Sequence, residues 1–248
     1  MDSTPLKGRV ALVTGAGRNI GRAIALALAD AGAKVAVNVR ASRDEGQAVV
    51  DEIVARDGEA LLVAADVTQR RDVDAMIAAI AKRFARLDIV VNNAAVRHDA
   101  AFADLPYVEW RAAQAVCVDG AFHCTQAALP LLRGSGAGAV INIGGLTAQT
   151  GASKRAHVVT AKAALGGLTR ALAHELAEFG ITVHCVSPGM IDTVRKSEPA
   201  HHAMHTTLLG RRGHPDEIAS AVVWLAGPGG RFVTGQTLHI NGGAYLGG

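Results

Sequence analysis

The residues that could do chemistry begin with a glycine-rich run: Thr14, Gly15, Ala16, Gly17, Arg18, Asn19, Ile20 and Gly21 follow an apolar segment and precede a helical one. Glycines at such a place let the backbone turn tightly and approach a pyrophosphate. The N-terminus of the next helix then offers free N–H groups and the positive end of its dipole. A glycine loop alone says little, but one set between a strand and a helix predicts a dinucleotide site. Sites for NAD place Asp or Glu about 20 residues further on, to hold the ribose hydroxyls. Here that stretch reads Val37, Asn38, Val39, Arg40, Ala41, Ser42, without an acid. Arg40 can pair with a 2′-phosphate, Ser42 can hydrogen-bond it, and Arg18 can reach it from the loop. NADP(H) is therefore expected over NAD(H).

A second group of polar residues lies late in the chain. The irregular segment 192–213 reads as a mobile flap over a substrate and carries Arg195, Lys196, His201, His202, His205, Arg211 and Arg212. His201 and His205 would share one face of a helix. No acid stands between them as in a His-Glu-x-x-His zinc site, so no metal is expected. Together with Arg97 and His98, the flap's basic groups point to a small, anionic substrate. Cys117, Cys124 and Cys185 are odd in number and scattered, which suits reduced thiols in a cytoplasmic protein rather than a disulfide framework.

These residues need a frame, and the chain has one. Short, almost wholly apolar runs at 9–14, 34–39, 60–65, 87–91, 139–143, 181–186 and 237–240 alternate with helical stretches near 20–31, 43–56, 70–84, 107–132, 157–179 and 215–226. Strands that are apolar on both faces belong in a parallel sheet covered by helices on each side. The expected fold is α/β: a single domain over 1–248 with a doubly wound, parallel, seven-stranded Rossmann sheet. A formal charge of +3, with 19% charged residues, is too weak and dispersed for nucleic acid. Apolar runs are broken before the roughly 20 residues of a membrane span. The first residues lack the pattern of a signal peptide, so a cytoplasmic protein without membrane or nucleic-acid partners is expected.

At this point the sequence resembles the short-chain dehydrogenase/reductase family over essentially its whole length, and the 3-oxoacyl-carrier-protein reductase type in general pattern. Thr14, Gly15, Ile20 and Gly21 are similar to the family's glycine motif, with Asn19 at its middle glycine. Asp66 and Val67 match its adenine-contacting pair, and Asn92, Asn93, Ala94 and Ala95 its Asn-Asn-Ala-Gly. Pro188, Gly189, Ile191 and Thr193 lie in the segment that holds the nicotinamide amide. Thr234, Gly235, Gln236, Asn241, Gly242 and Gly243 match the C-terminal strand and turn. The resemblance implies that Gly15, Gly17, Arg18, Asn19, Ile20, Gly21, Arg40, Ser42, Asp66, Val67, Asn93, Ala94, Lys162, Pro188, Gly189, Ile191 and Thr193 bind the cofactor.

The family's chemistry rests on Tyr-x-x-x-Lys, a Ser thirteen residues before the Tyr, and an Asn. Lys162 fits the lysine, but Val158 stands at the tyrosine position, Gly145 at the serine and Cys117 at the asparagine. A valine cannot transfer a proton. His157, next to it, is the expected replacement donor, although one helical residue turns it by about 100°. Thr147 and Thr160 are candidate carbonyl donors. The resemblance thus implies an NADP(H)-dependent oxidoreductase for a carbonyl or alcohol with a non-standard active site, Lys162 and His157 being its catalytic candidates. The alternative is a non-catalytic NADP(H)-binding sensor or partner subunit. The resemblance also implies a homo-oligomer, a dimer or tetramer, in which the small-residue helix after Lys162 helps form the interface.

Overall fold

The computed structural model describes residues 4–194 and 207–247. Seven parallel strands form one sheet: β1 (Val10–Val13), β2 (Lys34–Val39), β3 (Ala60–Ala64), β4 (Ile89–Asn92), β5 (Ala139–Ile143), β6 (Thr182–Pro188) and β7 (Thr237–Ile240). Their spatial order is β3-β2-β1-β4-β5-β6-β7. Between them run α1 (Asn19–Asp30), α2 (Arg43–Val54), α3 (Arg70–Phe84), α4 (Tyr107–Gln114), α5 (Gly120–Gly134), α6 (Thr147–Thr150), α7 (Ala156–Leu176) and α8 (Pro215–Ala226).

The strand period of two assigns the core. Ala11, Val13, Val35, Val37, Ile89, Val91, Ile141 and Ile143 face α1, α2 and α8, where Ile24, Leu28, Ile53, Ile218 and Val222 meet them. Val10, Leu12, Ala36, Val90, Val140 and Val183 face the other way, onto Ile77 and Ile80 of α3, Ala128 and Leu132 of α5, and Leu176 of α7. Both faces are buried, as continuous apolar strands require. After β3 the chain crosses to the other side of β1 to lay down β4. The carboxyl ends of β1 and β4 therefore part at a switch point, where α/β sheets open a crevice.

The expected helix over 107–132 is not continuous. A π-helical turn at Ala115–Asp119, which holds Cys117, separates α4 from α5. By length and composition the stretch from Tyr107 to Gly134 is apolar enough to cross a membrane. In this fold its α5 half is a layer of the core, with Cys124, Ala128 and Leu132 fully buried. A buried polar chain fastens that layer to the sheet. Asn92 Nδ2 donates to Thr125 Oγ1 (3.1 Å) and to Asn142 Oδ1 (2.9 Å), and Asn142 Nδ2 donates to Thr169 Oγ1 (2.9 Å) on α7.

His184 of β6 is fully buried. Burial, and then the charge of Arg231, push its pKa from 6.5 down to about 4. Below pH 6.5 the unfolded chain binds a proton there that the folded chain refuses until about pH 4, so stability falls as pH drops through that window. The loss is at most on the order of 3 kcal/mol. Urea unfolding of wild type and His184→Leu at several pH values checks this: the variant should lose less stability between pH 6.5 and 4, and parallel profiles would contradict it.

Candidate active site

The end of β1 is tied to the end of β4. Thr14 Oγ1 accepts hydrogen bonds from the N–H groups of Asn93 (2.9 Å) and Ala94 (3.0 Å). The Asn93 side-chain amide donates back to Thr14 O (2.8 Å) and Gly15 O (3.0 Å). From the β2 side, Asn38 Oδ1 accepts the Gly15 N–H (3.3 Å), and its Nδ2 donates to Val63 O and Ala65 O, both at 3.2 Å. Gly15 has a φ of +62°, a left-handed conformation natural to glycine. At Gly21 a Cβ would collide with the Gly15 carbonyl and the Asn93 amide. Asn19, at the middle-glycine position, has a φ of +52°, which Asn tolerates better than most residues. Its Oδ1 accepts the Val194 N–H (3.0 Å), linking the loop to the start of the flap.

This frame bounds a cleft of about 360 Å³, within the usual range for small-molecule sites. Gly15, Gly17, Arg18, Asn19, Ile20, Gly21, Arg40, Ser42, Asp66, Val67, Asn93 and Ala94 all line it. Arg18 lies 3.9 Å from Glu45, an acid of α2 that also lines the cleft. One oxygen of Asp66 is engaged in its own turn, accepting from the N–H (2.9 Å) and hydroxyl (2.8 Å) of Thr68.

A smaller cavity of about 80 Å³ adjoins it, with Ile20 and Arg97 in the walls of both. Lys162, Pro188, Gly189 and Ile191 line this second space, together with Gly145, Thr147, Arg155 and Val158. Thr193 is not among the described residues lining either one. Lys162 is buried, and its Nζ donates to Ile143 O at 2.5 Å. Burial pushes its pKa below an ordinary lysine's; Arg97 and Arg155 act in the same direction, while the Cys117 and Cys185 sulfurs oppose them. Arg155 is also buried, with Asp99 3.7 Å from its Nε. A Cβ on Gly145 would meet nothing within 4 Å.

His157 does not join this cavity. One residue before Val158, it faces away, fully buried, with its ring 4.4 Å from that of His98. His98 Nε2 is 2.6 Å from Glu109 Oε2. Neither ring nitrogen of His157 makes a well-formed hydrogen bond, although the nearby His98 backbone favours the charged form. Burial, followed by the charges of His98 and Arg155, lowers the His157 pKa. The helical offset thus prevails over proximity in sequence, and the geometry does not support the donor role expected of His157. Thr160 is exposed.

Of the expected flap, Arg195, Lys196, His201, His202 and His205 lie outside the described residues. Its two described ends are joined: Ile191 pairs with Gly213, and the Asp192 N–H donates to Gly213 O (2.8 Å). Arg211 is held by Glu217 through two hydrogen bonds, of 2.9 and 2.7 Å. Asn38, Arg155 and Gln114, whose Nε2 donates to His157 O (3.2 Å), are site supports that the sequence did not single out.

Comparison with known proteins agrees with this geometry. The family model described as Enoyl-(Acyl carrier protein) reductase matches residues 15–245. The chain is 39% identical over 240 residues to the 3-oxoacyl-[acyl-carrier-protein] reductase FabG of Staphylococcus aureus (strain Mu50), covering 95% of this chain and 98% of that one. A 3-oxoacyl-[acyl-carrier-protein] reductase of Synechocystis sp. is 39% identical over 245 residues, with 98% and 99% covered. Among solved structures, a short chain dehydrogenase from Burkholderia cenocepacia J2315 in complex with NADP superposes with a TM-score of 0.91 at 35% identity, over 97% of this chain and 99% of that one. A dehydrogenase/reductase from Sinorhizobium meliloti 1021 gives a TM-score of 0.93 at 36% identity, over 98% of each chain. The chain belongs to the short-chain dehydrogenase/reductase family of oxidoreductases.

The crowding at Gly21 gives a direct test. Gly21→Ala must push Gly15 and Asn93 apart, so dinucleotide affinity should fall at least about tenfold, or about 1.4 kcal/mol. Fluorescence titration with NADPH checks this, and an unchanged affinity would mean that the loop is not the binding surface.

Proposed function

We propose that this protein is an NADP(H)-dependent oxidoreductase for a carbonyl or alcohol substrate, in which Lys162 handles the proton that Val158 cannot. The supporting observation is that cleft and cavity share the wall of Ile20 and Arg97, so a dinucleotide filling the cleft would end beside Lys162. The residues fit such a group. Gly15, Gly17 and Gly21 let the backbone approach a pyrophosphate at the N-terminus of α1. Arg18 and Arg40 suit a 2′-phosphate, and no acid replaces them at the end of β2. A bound nicotinamide supplies or accepts a hydride.

The chain's own residues provide the rest. Val158, Gly145 and Cys117 stand where the family's Tyr, Ser and Asn are expected. Lys162, Arg97 and Arg155 are the ionisable groups lining the cavity among the described residues. An arginine keeps its proton, whereas a lysine with a lowered pKa can release one. Thr147 offers the cavity a hydroxyl to orient a carbonyl oxygen. The site also fits a homo-oligomer built on α5 and α7, where Phe122 is half-exposed and a Cβ on Gly167 would meet nothing within 4 Å. Sedimentation should then give a multiple of 25.5 kDa.

Fluorescence titration with NADPH and NADH, followed by absorbance against a panel of carbonyls and alcohols, tests the reading. NADPH should bind at least about tenfold more tightly than NADH, and Arg40→Ala should narrow that gap. Lys162→Met should reduce turnover by about 10² to 10⁴. Reduction needs the protonated lysine, so its rate should fall as pH rises through a pKa below 10.5. Oxidation should show the opposite trend. Tight binding with no turnover on any substrate would instead indicate a sensor or partner subunit.

A further inference from the structure

Three cations, Arg97, Arg155 and Lys162, line a cavity of about 80 Å³, and no acid lines it among the described residues. Arg155 and Lys162 are each no more than 7% exposed. Lys162 Nζ donates to a neutral carbonyl, Ile143 O. Asp99, 3.7 Å from Arg155, is not in the cavity wall. Burial is costly for a charge, and like charges side by side add to that cost. Both effects are visible here, since burial and the neighbouring arginines depress Lys162, and burial outweighs Asp99 at Arg155. Such a cluster is stabilised by an anion placed among its members.

The cavity also has room for one. Val158 is a short apolar wall, and beyond Gly145 a Cβ would find open space. A guanidinium presents paired N–H donors that match the two oxygens of a carboxylate.

We propose that Arg97 and Arg155 form a carboxylate subsite, so that the substrate is a small oxo acid or hydroxy acid with a free carboxylate. The proposal deepens the oxidoreductase reading, on which it relies for the carbonyl; the carboxylate site itself stands on the cation cluster.

Calorimetric titration of pyruvate and of methyl pyruvate into protein saturated with NADP⁺ separates charge from shape, and the oxidised cofactor cannot reduce either probe. Pyruvate should bind at least tenfold more tightly than its ester. Arg155→Met should abolish that preference while leaving the weak ester binding in place. Arg97→Met, at an exposed position, should weaken pyruvate in the same direction and decides the matter if the buried substitution fails to fold. Equal binding of acid and ester, or pyruvate affinity unmoved in both variants, would overturn the proposal. So would inorganic phosphate that displaces pyruvate and binds more tightly. If NADP⁺ does not bind, the cofactor reading fails separately, and the same titrations on unloaded protein still judge the subsite.

Discussion

Thr14 and Asn93 hold each other across the point where the sheet reverses its winding. The Thr14 hydroxyl accepts two backbone N–H groups of the β4 end, and the Asn93 amide returns two hydrogen bonds to the β1 end. All four are of ordinary length, and both side chains are buried, where an unpaired polar group is expensive. The knot keeps Gly15 in its left-handed turn, and that turn lets α1 begin close to the strand. Asn38 secures the same glycine from β2. The cleft, its basic end and the passage to Lys162 all follow from where these three side chains hold the backbone.

Much of this was legible in the sequence. The apolar runs at 34–39 and 139–143 coincide with β2 and β5, because strands buried on both faces admit little else, and the run at 237–240 coincides with β7, the half-buried edge strand. The cofactor-binding expectations, apart from Thr193, came together in the two adjoining spaces because they lie at the carboxyl ends of strands. The break at Ala115–Asp119 was not legible, since a π turn uses the same apolar residues as the helices around it. Asn38 read as part of a strand; its importance comes from carbonyls of β3 and from Ala65, far away in sequence. Arg155 carried no signal in the sequence, since tertiary packing is what buries it in the cavity wall with Lys162. His157 shows the reverse: adjacent in sequence to the tyrosine position, it is removed from the cavity by helix geometry.

Electrostatics divides the site into two regions. The cleft is a mixture, with Arg18 and Arg40 at one end and Glu45 beside them. Exposed pairs such as Arg18–Glu45 are worth little and can reorganise around a phosphate. The smaller cavity is different, because its charges among the described residues are of one sign and mostly buried. There Val158 and Gly145 bound a space beside a lysine whose proton is easier to remove than usual.

The most direct measurement is a crystal structure of the protein grown with saturating NADPH. The account predicts the 2′-phosphate within hydrogen-bonding reach of Arg18 and Arg40, and the nicotinamide beside Lys162 and Val158. A dinucleotide bound the other way round, or a cleft empty at saturating cofactor, would contradict it.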